Sequence, residues 1–468
     1  MRSFFDGLEY FSKLTALSTK SEQITYEYLL GEIEVFSSRV KSRKLAFLLC
    51  ENRIESILGY LACLRSGVVP LLVGSSIDDE LLLNLINTYK PSYIWSNRRS
   101  DSLIKEWKTI HSNRSYRLLE CIDQFEHSFH PDLALLLMTS GSTGSPLLVR
   151  VSYENLIENT RSISQSLDIT QQDIPITTLP MNYTYGLSII NSHLLNGCQI
   201  VLTEDSILSK GFWDLLNSRE VTTFGGVPYT YQMLKRLGFE KMNLPNITKL
   251  TQAGGKLELN LKKYFTEACA DKGIQFFVMY GQTEATARMS CLPAEDAIRK
   301  AGSIGIPILN GRFHLLDDSG NVISVSNKEG ELYYEGPNVS MGYANCLSDF
   351  SKEDENQGIL ATGDLAIRDK EGYYYIVGRK KRFIKVFGNR ISLDEVENVC
   401  QKIGYSCVCT GKDDKLIIFV NRENDLKELR AKISSKIGIH QSAIMVKYIV
   451  EFPRNDSGKI LYSKLQVD

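Results

Sequence analysis

Small hydroxyl residues and glycines crowd one stretch of the chain, TSGSTGSP at 139–146, directly after the apolar run 133–138. After a strand, such a loop lets backbone N–H groups and hydroxyls converge on phosphate oxygens. It is not a Walker A loop, because no Gly-Lys-Ser/Thr follows. A second stretch, YGQTE at 280–284, follows the apolar run 276–279. Its ring, glycine, hydroxyl and carboxylate suit an adenine, a phosphate and Mg²⁺. A third, ATGD at 361–364, precedes Arg379. A carboxylate can take both hydroxyls of a ribose, and a guanidinium can reach a phosphate. A fourth, PRNDSGK at 453–459, offers Lys459 as a point charge on a turn. Each also has an ordinary reading: a surface loop, a strand end, a common Thr-Gly-Asp turn, a polar tail. None decides alone.

The elements that must hold these segments follow from the apolar pattern. Short apolar runs at 46–50, 68–73, 93–95, 133–138, 199–203 and 276–280 read as buried strands. Stretches such as 54–65 and 155–167 read as helices between them. That alternation predicts an α/β fold with parallel sheets covered by helices. After about residue 300 the turns DDSGN (317–321) and DKEG (369–372) separate short strands, which predicts a small antiparallel β subdomain. The basic segment GRKKRFIK at 378–385 leads into an α+β tail. There Ser392 and Glu395 form a capping box. Val396, Val399, Cys400 and Ile403 mark a helix, 416–420 a strand, Leu426, Leu429, Ile433 and Ile437 a second helix, and 444–450 a last strand. The expected organisation is a large domain at 1–377, a boundary at 378–381 and a small C-terminal domain at 382–468.

Composition narrows the class. The 468 residues carry a net charge of −1, which argues against binding to nucleic acid or an anionic membrane by bulk charge. An apolar fraction of 43% supplies ample surface to bury, so a disordered chain is excluded. No apolar run reaches the length of a membrane span, and the start lacks a secretory pattern. Ten scattered cysteines without a C-x-x-C fit buried reduced thiols in a cytoplasmic protein.

Taken together and in order, the motifs resemble those of the adenylate-forming superfamily: acyl- and aryl-CoA synthetases, peptide-synthetase adenylation domains and luciferases. Residues 139–146 resemble its phosphate loop, and LPMNYTYG at 179–186 its acyl-pocket segment. AGGKL at 253–257 resembles the segment that walls adenine and substrate. YGQTE, GEL (330–332), TGD (362–364), 378–397 and the tail lysine follow in family order. The likeness runs from Thr25 and Tyr26 to Lys459. It implies a large N-terminal domain of two α/β subdomains plus a small β subdomain, then a small mobile α+β domain.

The resemblance also implies a chemistry. Such enzymes join a carboxylate to AMP with release of pyrophosphate, then pass the acyl group to a thiol of CoA or phosphopantetheine. On that basis Thr139, Ser140, Gly141, Ser142, Thr143 and Gly144 bind the ATP phosphates. Tyr280, Gly281 and Gln282, with the backbone at Gly254 and Gly255, enclose adenine. Asp364 holds the ribose and Arg379 adds a contact nearby. Thr283 donates to the α-phosphate, Glu284 binds Mg²⁺, and Lys459 bridges the carboxylate and the α-phosphate. Lys381 is the hinge. Lys385 and Gly388 line the thiol tunnel. Tyr183, Tyr185, Gly186 and Val227 line the acid pocket, with Met289 a further candidate. The implied partners are a small carboxylic acid and CoA or an acyl carrier protein, with no nucleic acid and no membrane span.

The chain departs from the family pattern in four respects, one of them a short C-terminal domain. Leu147 stands where the phosphate loop usually has Lys, with Arg150 a candidate substitute. Tyr183 stands where His is frequent. No Asp lies near Thr184 to hold an α-ammonium, which lowers the amino-acid reading. Two alternatives stay beside the acid–thiol ligase: a stand-alone adenylation protein loading an amino or hydroxy acid onto a carrier, and a non-catalytic nucleotide-binding relative.

Overall fold

The computed structural model describes residues 5–98, 107–123, 125–138, 147–380, 382–387, 389–423, 426–455 and 458–465. The chain divides into two compact units. One joins residues 1–312 with 335–360, and the other joins 313–334 with 361–468. The boundary expected at 378–381 falls inside the second unit.

The first unit is built on two mixed sheets. One has, at its centre, the parallel strands Pro175–Ile176, Thr223–Gly226, Lys249–Gln252 and Gln275–Tyr280. Ser290–Leu292 and Ile306–Pro307 extend it antiparallel. The other has Leu45–Cys50, Val69–Gly74 and Leu133–Met138 in parallel at its centre. Leu148–Ser152 then pairs antiparallel with Leu133–Met138, and Tyr343–Ala344 closes that edge. Every residue of Leu45–Cys50 is buried. That explains why this strand reads as a continuous apolar run rather than an alternation. The run expected at 199–203 is a strand only over Ile200–Val201.

Helix boundaries follow local chemistry. Ile54–Ser66 ends on Gly67 at φ 70°, a left-handed cap that glycine adopts without strain. Tyr153–Ser166 starts from a reciprocal cap in which Ser152 and Asn155 satisfy each other's backbone N–H. The core of this unit is the apolar face shared by strands and helices, with Trp95, Tyr60, Tyr93 and Phe47 fully buried.

The second unit holds a small antiparallel sheet. In it Ile359–Arg368 and Tyr374–Arg379 pair around the turn expected at 369–372. A hairpin, Phe383–Val386 with Asn389–Ser392, follows. The helix Leu393–Lys402 then starts with Ser392 accepting from the Glu395 N–H. The strands Cys407–Lys412, Lys415–Val420 and Ile444–Tyr448 form a sheet with the helix Leu426–Ile437. Helices Leu393–Lys402 and Leu426–Ile437 bury Val396, Cys400, Leu429 and Ile433, close to the periodicity read from sequence. Among the described residues no helix is long and apolar enough to cross a membrane.

Candidate functional site

In the first unit, strand Gln275–Tyr280 delivers the YGQTE segment at its C-terminal end. In open α/β sheets this is where ligands bind. Tyr280, Gly281, Gln282, Thr283 and Glu284 are all partly accessible, whereas Ala285 and Thr286 are buried. The segment folds back sharply. A Cβ on Gly281 would lie 1.7 Å from the Ala287 carbonyl oxygen, so only glycine permits the turn. Thr286 and Ala287 adopt φ of 60° and 146°, conformations that cost about 1–3 kcal/mol each in a non-glycine residue.

Three buried asparagines hold that strain in place. Asn338 Nδ2 donates to the carbonyls of Ala285 and Arg288, both at 2.8 Å. The Asn338 carbonyl in turn accepts from Thr286 Oγ1 at 2.7 Å. Asn159 Nδ2 donates to the Arg288 carbonyl at 2.9 Å. Asn155 Nδ2 donates to the Pro337 and Val339 carbonyls and so fixes the segment that carries Asn338. The Glu284 carbonyl accepts from the Ser340 N–H at 2.8 Å. Its carboxylate accepts from the Tyr343 hydroxyl at 2.7 Å. Burial and the neighbouring carboxylate push the Tyr343 phenol up, so it stays a donor.

Tyr343 ties this carboxylate to the neighbouring sheet. It pairs with Val149, and Ala344 with Leu148. Strand Leu148–Ser152 begins just after residues 139–146. Those eight residues, with Thr139, Ser140, Gly141, Ser142, Thr143 and Gly144, lie outside the described residues. The strands on both sides of them, Leu133–Met138 and Leu148–Ser152, are paired.

The acid-pocket candidates meet only in part. A Cβ on Gly254 would lie 2.4 Å from the Tyr183 hydroxyl and 3.0 Å from Val227 Cγ1, so Tyr183, Val227 and Gly254 share one wall. Gly254 sits at φ 79°, and Gly255 next to it is exposed. Tyr183 is partly buried, and burial pushes its phenol up to about 12. Tyr185 is fully buried, and its hydroxyl is held 2.8 Å from the Thr251 carbonyl. It is a wall, not a free polar group. Gly186 has a local packing role. A Cβ there would lie 2.3 Å from the Pro180 carbonyl oxygen, so the glycine lets helix Thr184–Leu195 start tightly against the preceding turn. Met289 is buried, with its N–H on the Tyr280 carbonyl.

Arg150 does not replace the missing loop lysine. Its side chain has no exposure. Its guanidinium donates to the carbonyls of Lys352, Met341 and Glu353 and to Glu355 Oε2 at 2.9 Å. It is a buried clamp between strand Leu148–Ser152 and residues 341–355.

In the second unit Asp364 and Arg379 face each other across paired strands, with Arg379 Nε donating to Asp364 Oδ1 at 3.0 Å. Asp364 is buried to 2% exposure, and its N–H bonds to Thr362 Oγ1. Lys459 is exposed on a tight turn, its N–H on Asn455 Oδ1 and its carbonyl accepting from the Asn455 N–H, both at 2.9 Å. Lys385 is exposed, and its N–H donates to Asp413 Oδ1. Lys381 and Gly388 lie outside the described residues.

Sequence reasoning missed Arg288, Asn338 and Tyr343. The one available signal was Arg288 itself, a lone charge inside the otherwise small and apolar stretch 285–292. Among the described residues no three His, Cys, Asp or Glu side chains gather as a metal cage. A single accessible carboxylate, Glu284, nevertheless suits Mg²⁺. That ion is usually held by one or two carboxylates together with the phosphates it accompanies.

A family model for AMP-binding enzymes matches residues 8–344. The chain belongs to that family. It is therefore an AMP-forming enzyme of the adenylate-forming superfamily, an ATP-dependent acid–thiol ligase. It is similar to the 2-succinylbenzoate–CoA ligase of Bacillus cereus (strain ATCC 10987), at 25% identity over 97% of this chain and 95% of that protein. The corresponding ligase of Bacillus subtilis (strain 168) is 27% identical over 96% of this chain and 94% of its own length. Among solved structures, o-succinylbenzoate CoA synthetase (MenE) of Bacillus subtilis with ATP and magnesium superposes with a TM-score of 0.77. It is 24% identical and covers 99% of each chain. The anthranilate CoA ligase AuaEII with anthranoyl-AMP gives 0.78 at 18% identity, over 99% of this chain and 96% of that one.

Proposed function

We propose that the enzyme activates a small or medium carboxylic acid with a polar or aromatic body and transfers it to CoA in the cytoplasm. The observation that carries the site is the Tyr343–Glu284 hydrogen bond. It ties an accessible carboxylate to Tyr343, whose strand pairs with Leu148–Ser152, the strand that follows residues 139–146 in the sequence. The curated relatives are ligases of 2-succinylbenzoate and CoA. That favours CoA over a carrier protein and an acid larger than acetate.

The chain's residues divide the work by charge. Carboxylate and triphosphate repel, so cationic and donor groups must sit where negative charge builds up. Glu284 would hold Mg²⁺ together with the phosphates, and the ion, when bound, would supply charge neutralisation. Residues 139–144 cradle the phosphates and Thr283 donates to the α-phosphate. Tyr280, Gly281 and Gln282 cover adenine, and Gly254 and Gly255 line its edge. Asp364, oriented by Arg379, holds the ribose hydroxyls. Tyr183, Tyr185 and Val227 wall the acid, and Tyr183 takes the position where a histidine is frequent. Lys459 reaches the carboxylate and the α-phosphate during adenylation. The segment 378–381, with Lys381 as pivot, then turns residues 382–468, so that Lys385 and Gly388 line the path of the thiol.

The test is pyrophosphate release from ATP and Mg²⁺ across a panel of carboxylic acids, with and without CoA. Release with one class of acid, followed by acyl-CoA only when CoA is present, is expected. Acyl transfer to a phosphopantetheinylated carrier protein but never to CoA would overturn the acceptor.

A further inference from the structure

We propose that Arg288 selects the acid: the side chain reads an acceptor oxygen, best a second carboxylate, on the body of the substrate away from the reacting carboxyl group. This deepens the ligase reading and rests on it.

Arg288 is 3% exposed, yet no carboxylate is bonded to it among the described residues. Its guanidinium carbon lies 4.0 Å from the centroid of the Tyr185 ring. Its Nε–H points to the Met279 sulfur at 3.2 Å. Its other N–H groups meet no protein acceptor among the described residues. A ring face and a thioether are weak partners for a full charge removed from water. An uncompensated buried cation costs several kcal/mol, so proteins pair such groups. The same unit shows the ordinary solution at Arg150, which is met by three carbonyls and Glu355. Arg288 lacks that solution although its backbone is fixed, its carbonyl being gripped by Asn159 and Asn338.

The surroundings locate the missing partner. Arg288 lines a small, largely enclosed cavity of about 10 Å³, room for a single oxygen atom, together with Gly225, Thr251, Ser188, Ser192 and His193. A Cβ on Gly225 would lie 2.7 Å from the Tyr185 hydroxyl, so this cavity adjoins the tyrosine wall of the acid pocket. The other charge on its lining is already matched: Lys249 Nζ binds Asp173 Oδ2 at 2.9 Å and the Asp168 carbonyl at 2.7 Å. His193 is neutral at pH 7, because burial pushes it down to about 4, and its Nδ1 is spent on the Ile189 carbonyl at 2.7 Å. The unmatched charge in the cavity is therefore that of Arg288. A substrate oxygen supplies what the protein withholds, and an α-ammonium is repelled. A planar fork of donors matches a carboxylate in two places, while a hydroxyl or keto oxygen takes one.

Purified full chain with ATP, Mg²⁺ and CoA is assayed for pyrophosphate release on length-matched acids. Plain acids are butyrate, hexanoate and benzoate. Oxygen-bearing acids are succinate, adipate, phthalate and 3-hydroxybutyrate. The wild type is expected to prefer the oxygen-bearing set by at least about 10-fold in kcat/KM. In Arg288→Met the ratio of oxygen-bearing to plain acids should fall about 100-fold, chiefly through KM for the acid. Arg288→Lys should recover part of that ratio. Dicarboxylates against the hydroxy acid distinguish an anionic from a neutral acceptor, and a preference for either upholds the inference. Equal use of plain acids by the wild type overturns it without touching the ligase reading, and does not depend on the variants folding. Should no acid release pyrophosphate, thermal stabilisation of the wild type by the same acids decides. A larger shift with oxygen-bearing acids upholds Arg288 while the ligase reading fails. Equal or absent shifts overturn both.

Discussion

The Tyr343 hydroxyl donates to Glu284 Oε1 at 2.7 Å and so ties one sheet of the first unit to the segment that leaves the other. One carboxylate oxygen is thereby spent on the protein, and the group is aimed. Tyr343→Phe keeps the ring and removes only that bond. Hydrogen bonds to charged groups contribute about 1.5–3 kcal/mol. The variant is expected to bind ATP·Mg²⁺ about 10-fold more weakly by calorimetry, with little change in melting temperature. An unchanged dissociation constant would show that Glu284 does not depend on the tyrosine.

Asn338 holds the strained turn from the other side. Asn338→Ala removes two donors at once. The Arg288 carbonyl keeps Asn159, but the Ala285 carbonyl is left buried without its side-chain donor. An orphaned buried acceptor costs about 1–3 kcal/mol. Stability in a denaturant titration should fall by that amount, and KM for ATP should rise because the YGQTE segment relaxes. Full stability with normal KM would mean that the turn holds itself.

Lys459 sits on an exposed turn, and the proposed turn of the C-terminal segment takes it out of the site after adenylation. Lys459→Ala should lose acid-dependent pyrophosphate release by about 100-fold or more. It should still transfer the acyl group from a supplied acyl-adenylate to CoA. Equal loss of both half-reactions would argue that the lysine stays in place throughout.

Much of this was legible in the chain itself. The runs at 46–50, 133–138 and 276–280 became central strands, because parallel strands covered on both faces must be apolar throughout. The hairpin that carries Asp364 and Arg379 was readable because a short turn separates two apolar strands; the ion pair between them was not, since both residues read as ligand contacts. Arg150 misled for the opposite reason. It lies in a strand whose five residues are all buried, and only the tertiary fold shows the carbonyls that receive it. Asn338 and Tyr343 act on residues more than fifty positions away, and no local pattern announces such a bond.

A last expectation concerns pH. Lys262, on helix Leu259–Asp271, is 3% exposed, and its Nζ donates to the Ser303 carbonyl at 2.6 Å. Burial pushes its pKa from 10.5 down to about 7. Between those two values the unfolded chain holds a proton at this position that the folded chain has released. Stability therefore rises with pH across that window. Below about pH 7 both states are protonated, and the folded state carries the full cost of a buried ammonium. Lys262→Met removes the titration and leaves the Ser303 carbonyl without its donor, an offset that does not vary with pH. The stability of the wild type relative to the variant should climb steadily from pH 7 to pH 10 in chemical denaturation, and level off below pH 7. Parallel curves across that range would show that Lys262 keeps an ordinary pKa by reaching water.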